Sequence, residues 1–289
     1  MLDSHPELSN PGELDFLLEA PRRADGSANL DRYVRNLRRN RIFRATGFAI
    51  DETLGHDDLV RSFVNQSMTS GKALTITVHR HFDRIPALFP DARYVHLVRD
   101  PRDVARSSIH MGWAGHVFFG VDHWVETERD FARLRRLVDP SQILEVRYEA
   151  LVLDSKGELD RLCRFIGFSF DAAMFDYVSR SNYELPDASL IEQWRSKLSQ
   201  REVALVESRV GRLLNDAGYA SSGVPPIRPN SIERFLLRQI NRWKRNRFEI
   251  DRFGVAPFLA HKVSSVVPIP GLINYATNRY DAITARYLK

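Results

Sequence analysis

Tyr94-Val95-His96-Leu97-Val98-Arg99-Asp100-Pro101-Arg102-Asp103-Val104-Ala105-Arg106-Ser107-Ser108 reads as a buried strand that ends in an anion-binding turn and enters a helix. Ala92 to Val98 is largely apolar and β-prone, as a strand covered on both faces is. Asp100 suits a helix cap and Pro101 the first helical position. Ligands of open α/β sheets bind where such strands end, and Arg99 stands at that end. A rise of about 1.5 Å per residue puts Ser107 roughly 9 Å beyond Pro101. A folded-back arginine and a hydroxyl can close that gap around one phosphate.

Working outward, helical patterns alternate with short β-prone runs, the signature of a parallel sheet wrapped by helices. Strands are expected over Ile42 to Thr46, Leu74 to Val78, Arg93 to Val98 and Gln142 to Val146. Helices are expected over Asp57 to Met68, Pro101 to His110, Val121 to Leu137, Lys156 to Ile166 and Ser199 to Ala217. Ser221-Ser222-Gly223-Val224-Pro225-Pro226 interrupts the pattern, and Pro268-Ile269-Pro270-Gly271 is a second break. The organisation is therefore a domain over 1–220 and a helical C-terminal extension over 221–289.

With 289 residues, 43% hydrophobic and 27% charged, the chain can bury one substantial core. No apolar run approaches the roughly 18 residues of a membrane span, and Asp3, Glu7 and Glu13 exclude a signal-peptide pattern. The expectation is a cytoplasmic protein. Cys163, the sole cysteine, excludes intrachain disulfides and cysteine-based zinc sites, and it falls on the apolar face of a helix as a packed core thiol.

The segment from Arg99 resembles a signature of the sulfotransferases that use 3'-phosphoadenosine-5'-phosphosulfate, whose 3'-phosphate segment runs Arg-x-x-x-Asp-Val-x-x-Ser. Arg99, Asp103, Val104 and Ser107 meet every fixed position. Further segments share the likeness: Met1 to Glu7 with Pro11-Gly12-Glu13, Phe89-Pro90-Asp91-Ala92, Val146-Arg147-Tyr148-Glu149-Ala150-Leu151, and Gln193-Trp194-Arg195 with the helix running to Gly218-Tyr219. The resemblance implies a P-loop NTPase-like α/β fold, a three-layer parallel sheet, and 3'-phosphoadenosine-5'-phosphosulfate as sulfuryl donor. Arg99 and Ser107 would hold its 3'-phosphate, Tyr148 would lie near the adenosine, and Trp194 would stack on the nucleotide or fill core.

Members of that family begin with a strand and an Arg-Ser-Gly-Thr-Thr-Leu loop that cradles the 5'-phosphosulfate. This sequence starts just after that point, so an upstream start is expected, with an apolar slot left in the sheet and little activity in the 289-residue form. Ser70-Gly71-Lys72 does not replace the loop, since no glycine stands five residues before Gly71 and Ala73 occupies the Ser or Thr position.

Sulfuryl transfer needs both reactants positioned in line and a base for the acceptor hydroxyl or amine. The family supplies a glutamate past its first helix or a histidine after its second strand, and the corresponding residues are Glu13 and His79. The lysine that often precedes the histidine is absent from Ile76-Thr77-Val78-His79, so Glu13 ranks first. Arg80 or His79 would cover the bridging oxygen instead. His79 and His81 form a His-x-His without a third ligand, and no metal is expected. Met111 to His116 is an aromatic loop placed to touch an acceptor, whose class, carbohydrate, lipid or peptide, stays open.

Basic charge concentrates in one place. Pro226 to Arg252 holds eight Lys or Arg against three acids, an excess of five that equals the whole-chain +5. Ile232, Phe235, Leu236, Ile240 and Trp243 recur at helical spacing. The simplest expectation is an amphipathic helix packed on the core with its basic side in water. The alternatives are an anionic acceptor or an acidic membrane met through residues 228–252. Nothing resembles a nucleic-acid recognition motif. The functional rivals to the enzyme are a catalytically dead nucleotide-binding scaffold and a peripheral membrane-binding module.

Overall fold

Side-chain caps open several helices of this chain, among them Asn29, Asn40, Asp100, Asp154, Ser199 and Asn230. The computed structural model describes residues 1–181, 184–267 and 269–284. Its strands are β1 (Leu8–Ser9), β2 (Ala73–Leu74), β3 (Tyr94–Val98) and β4 (Ile143–Arg147). The longer helices are α1 (Leu30–Arg39), α2 (Arg41–Thr46), α3 (His56–Ser67), α4 (Pro101–His110), α5 (Asp122–Leu134), α6 (Ser155–Ile166), α7 (Gln200–Val210), α8 (Ser231–Phe253), α9 (Val255–Val266) and α10 (Pro270–Thr284).

The α/β class stands, with helices dominating and β1 running parallel to β2, Leu8 opposite Ala73 and Ser9 opposite Leu74. The hydrogen-bonded sheet, however, is two separate pairs, β1 with β2 and β3 with β4, rather than one continuous layer. Two expected strands change. Ile42 to Thr46 is helical, because the Asn40 side chain accepts from the Phe43 backbone N–H and Gly47, at φ 72°, ends the turn. That winding sends Phe43 into an aromatic cluster with Phe16 and Phe63. Leu74 to Val78 keeps strand character only through Leu74, followed by a single parallel bridge between Glu13 and Thr77. The expected Ser199 to Ala217 helix breaks at Gly211, whose φ of 61° a residue with a Cβ rarely adopts.

The chain divides into two units. The first comprises residues 1–97, 127–146 and 154–179, and the second 98–126, 147–153 and 180–289. In the first, Leu14, Phe16, Leu17 and Leu18 pack with Tyr33 and Leu37 of α1 and Leu59, Val60 and Phe63 of α3. A smaller cluster joins Phe82, Tyr94, Phe131 and Leu134. Strand β3 was expected to be covered on both faces. Instead it alternates: Tyr94, His96 and Val98 are buried, while Val95 and Leu97 are 37% and 56% exposed.

In the second unit, Val98, Ala105, Val121, Trp124 and Val125 pack against Val206 and Val210 of α7. Here α4 spans the expected residues, with Asp100 accepting from the Arg102 backbone N–H and Pro101 at the first position. In α8 the expected packing is reversed, since only Leu237 of its large apolar residues is buried and the predicted apolar stripe is exposed. Pro268 of the second predicted break lies outside the described residues. Among the described residues no helix is long and apolar enough to cross a membrane.

Candidate active site

In the first unit a turn at Gly12, with φ 91°, brings the chain back alongside the segment after β2. Thr77 donates its backbone N–H to the Gly12 carbonyl at 3.2 Å, and Leu14 donates to the Thr77 carbonyl at 3.0 Å. This register sets Glu13 and His79 side by side, Glu13 Oε1 lying 4.0 Å from His79 Nε2. That separation is an electrostatic contact and exceeds a hydrogen bond.

Asp15, which the sequence did not single out, holds His79 from the other side. Its carboxylate accepts from the His79 backbone N–H at 2.6 Å and lies 2.9 Å from Nδ1. Asp15 is largely sheltered, its side chain 15% exposed against 47% for His79. The Asp15 hydrogen bond is the main cause that raises the His79 pKa, opposed by burial and aided by the charges of Asp15 and Glu13. For Asp15, burial pushes upward most, yet the two His79 hydrogen bonds and the His79 and Arg80 charges outweigh it and lower the carboxyl. Arg80 Nη1 lies 3.4 Å from Glu19 Oε1. Among the described residues no group of three His, Cys, Asp or Glu side chains could hold a metal ion.

In the second unit Arg99 follows the strand end. Its guanidinium lies 4.2 Å from the Tyr148 ring centroid, Nη2 donates to the Leu190 carbonyl at 3.0 Å, and its own carbonyl accepts from Trp124 Nε1 at 2.9 Å. Arg99 Nε is buried without a hydrogen-bond partner. A buried N–H on a cation without a partner is a donor that an anion can satisfy. Ser107, half-buried, lies farther along α4.

Of the other two motif residues, Val104 packs on the core and Asp103 has a structural task. Asp103, 2% exposed, accepts from the Trp194 backbone N–H at 2.8 Å, and burial raises its pKa. Trp194 is itself buried, with the guanidinium groups of Arg102 and Arg195 at 3.8 and 4.5 Å from its ring. Of its two readings, stacking on a nucleotide or filling core, the burial favours core. Arg102 bonds both Asp100 carboxylate oxygens and Glu207 Oε1 at 2.7 to 2.9 Å, all three side chains being buried. Within the same unit Glu149 accepts from the Asp100 backbone N–H and the Tyr219 hydroxyl, both at 2.9 Å. The expected acceptor loop carries exposed Met111 and Trp113.

The sequence profile of the sulfotransferase family matches residues 1–172. The chain is 31% identical over 165 residues to the omega-hydroxy-beta-dihydromenaquinone-9 sulfotransferases Stf3 of Mycobacterium bovis and Mycobacterium tuberculosis. That stretch is 51% of this chain and 42% of theirs, so the match spans less than half of the relatives' length. The sulfotransferase domain of the curacin biosynthetic pathway superposes with a TM-score of 0.54 at 16% identity, over 76% of this chain and 91% of that one. The sulfotransferase domain of the Synechococcus PCC 7002 olefin synthase gives 0.50 at 23%, over 72% and 86%. With a profile match over more than half of its residues, the chain belongs to the sulfotransferase family.

Proposed function

We propose that this protein transfers a sulfuryl group from 3'-phosphoadenosine-5'-phosphosulfate to the hydroxyl of a lipid acceptor. The observation that carries the donor assignment is Arg99, a cation at a strand end with a buried Nε that has no partner. Bound there, the donor supplies an activated sulfuryl group on a phosphate leaving group. Arg99 and Ser107 hold the 3'-phosphate, and Tyr148, which already carries the Arg99 guanidinium on its ring, flanks the adenosine.

The proton of the acceptor goes to His79 Nε2. In neutral His79 the Nδ1–H donates its hydrogen bond to the Asp15 carboxylate, which leaves the Nε2 lone pair available. Asp15 fixes the ring and strengthens the base, while Glu13 adds negative charge 4.0 Å from Nε2. This orders the two sequence candidates differently, with His79 as base and Glu13 as the carboxylate beside it. As the acceptor oxygen bonds to sulfur, the bond from sulfur to the bridging phosphate oxygen breaks and its electron pair leaves with the phosphate.

The acceptor class is carried over from the curated relatives, whose name gives an omega-hydroxy-beta-dihydromenaquinone. The same reading has residues 228–252 contact an acidic membrane, where a lipid acceptor resides. Calorimetry with 3'-phosphoadenosine-5'-phosphate and with AMP tests the donor site. Much tighter binding of the former, erased by Arg99→Ala, supports the reading, and equal affinities refute it. Binding without transfer of labelled sulfate to any hydroxylated lipid would instead favour the nucleotide-binding scaffold.

A further inference from the structure

Helix α8 turns its apolar stripe away from the protein. Ile232, Phe235, Leu236, Ile240 and Trp243 follow at i, i+3, i+4, i+8 and i+11, a single face, and are between 42 and 72% exposed. The docked side is a different one. Leu237 is buried with Phe118 and Leu205, Asn241 Oδ1 accepts from the backbone N–H groups of Gly115 and His116 at 2.7 and 3.1 Å, and the Phe248 ring fills the space that a Cβ on Gly112 would need. Leu237, Asn241 and Phe248 stand at i, i+4 and i+11, a face of their own. Tertiary packing thus fixes the helix while leaving the stripe in water, and contiguous exposed apolar surface of this kind marks an interaction site.

Charge selects the occupant. Of the three acids between Pro226 and Arg252, Glu233 pairs with Arg201, Glu249 with Lys262 and Asp251 with Arg247. Against them stand eight cations, of which Arg234, Arg238, Arg242, Lys244 and Arg245 are exposed. A second copy of the helix would bring like charges together. An anionic bilayer suits both features, acyl chains receiving the stripe and headgroup phosphates the guanidinium groups. The Trp243 ring, apolar with one N–H donor, belongs at that boundary. Helix α9 continues the theme with Val255, Leu259, Val263 and Val266, exposed at i, i+4, i+8 and i+11. No described helix can cross a bilayer, so the mode of contact is peripheral.

We infer that α8 lies in the interface of an anionic lipid bilayer, with Ile232, Phe235, Leu236, Ile240 and Trp243 toward the acyl chains and its arginines among the headgroups. This deepens the membrane contact of the proposed function and is independent of sulfuryl transfer. The test is co-sedimentation of the full chain, without nucleotide, with phosphatidylcholine vesicles that contain or lack phosphatidylglycerol. The chain should partition onto the anionic vesicles at least about tenfold more strongly, and Arg238→Glu with Arg242→Glu should remove that preference. Ile240→Ser with Trp243→Ser should lower binding by about tenfold or more. Circular dichroism should report both double variants as folded, since all four side chains are exposed. In the wild type, lipids brominated in the acyl chains should quench Trp243 fluorescence, and quenching that persists in Trp243→Phe would place another tryptophan in the lipid and overturn the assignment. Absence of vesicle binding, or binding that both double variants retain, would also overturn it. So would a vesicle-free dimer that the stripe variant dissolves, which would make a second copy the occupant. None of these outcomes bears on nucleotide affinity.

Discussion

Asp15 holds His79 at two points, accepting from its backbone N–H at 2.6 Å and standing 2.9 Å from its Nδ1. One carboxylate therefore fixes both the position and the tautomer of the imidazole, and Nε2 is the nitrogen left to act. A base built this way works in its neutral form. Because the His79 pKa is raised, chiefly by the Asp15 hydrogen bond, activity should fall as pH drops through a value above the ordinary 6.5. Asp15→Asn should move that limb of the kcat/KM profile to lower pH and reduce the plateau. Titration of the His79 ring by NMR gives the same shift without an activity assay, and an unmoved ring pKa would show that Asp15 does not control it.

The same contact shapes stability with pH. A raised histidine pKa contributes stability that is present below 6.5 and lost as pH rises through the folded value. A lowered carboxyl contributes stability present above 3.8 and lost as pH falls through its folded value. The thermal midpoint of the wild type should therefore exceed that of Asp15→Asn most between pH 3.8 and 6.5. With His79 about half exposed, the screened difference should stay at or below roughly 1 kcal/mol.

Glu13 and His79 can be separated kinetically. His79→Ala should lower kcat by about 100-fold or more while leaving nucleotide affinity nearly unchanged. Glu13→Gln removes a neighbouring charge rather than the proton acceptor and should cost less, with a downward shift of the acidic limb. A dead Glu13→Gln enzyme beside a near-normal His79→Ala enzyme would return the base to Glu13.

For the donor, Arg99→Ala should weaken 3'-phosphoadenosine-5'-phosphate by on the order of 1.5 to 3 kcal/mol, the scale of a charge-assisted hydrogen bond. AMP, lacking the 3'-phosphate, should bind wild type and variant alike. Calorimetry of the four combinations gives the coupling between the guanidinium and that phosphate directly.

The Arg99 segment was legible because it is local: strand, cap, proline and helix follow one another within fifteen residues, and Asp100 and Pro101 act on their immediate neighbours. The Glu13 and His79 cluster of the first unit was only partly legible. Glu13 and His79 could be named from sequence, but Asp15 reaches His79 across 64 residues through the bridge between Glu13 and Thr77. The Ile42 to Thr46 error had a local remedy, since Asn40 and Gly47 bracket the run as helix caps. Short apolar runs fit strand and helix equally well, and the caps decide. In α8 the spacing of the stripe was readable while its direction was not. Direction depends on Asn241 and Phe248, polar and aromatic residues off the stripe whose partners lie more than 100 residues upstream.

Arg102 is buried in the first turn of the helix that follows Arg99. Its guanidinium satisfies Asp100 and Glu207 together and lies 3.8 Å from the Trp194 ring centroid, and Asp100 is also the cap of α4. Removing the arginine leaves two buried carboxylates without their cation, whereas a similarly shaped apolar replacement alone cannot compensate them. Arg102→Met should therefore destabilise by roughly 3 to 5 kcal/mol in denaturant unfolding. Arg102→Met combined with Asp100→Asn and Glu207→Gln should recover part of that loss, because the stranded charges are gone, although Asn at the cap retains its acceptor. The recovery distinguishes a charge network from simple packing: if the triple variant is no more stable than Arg102→Met, the arginine acts by filling space beneath Trp194 and the network contributes little.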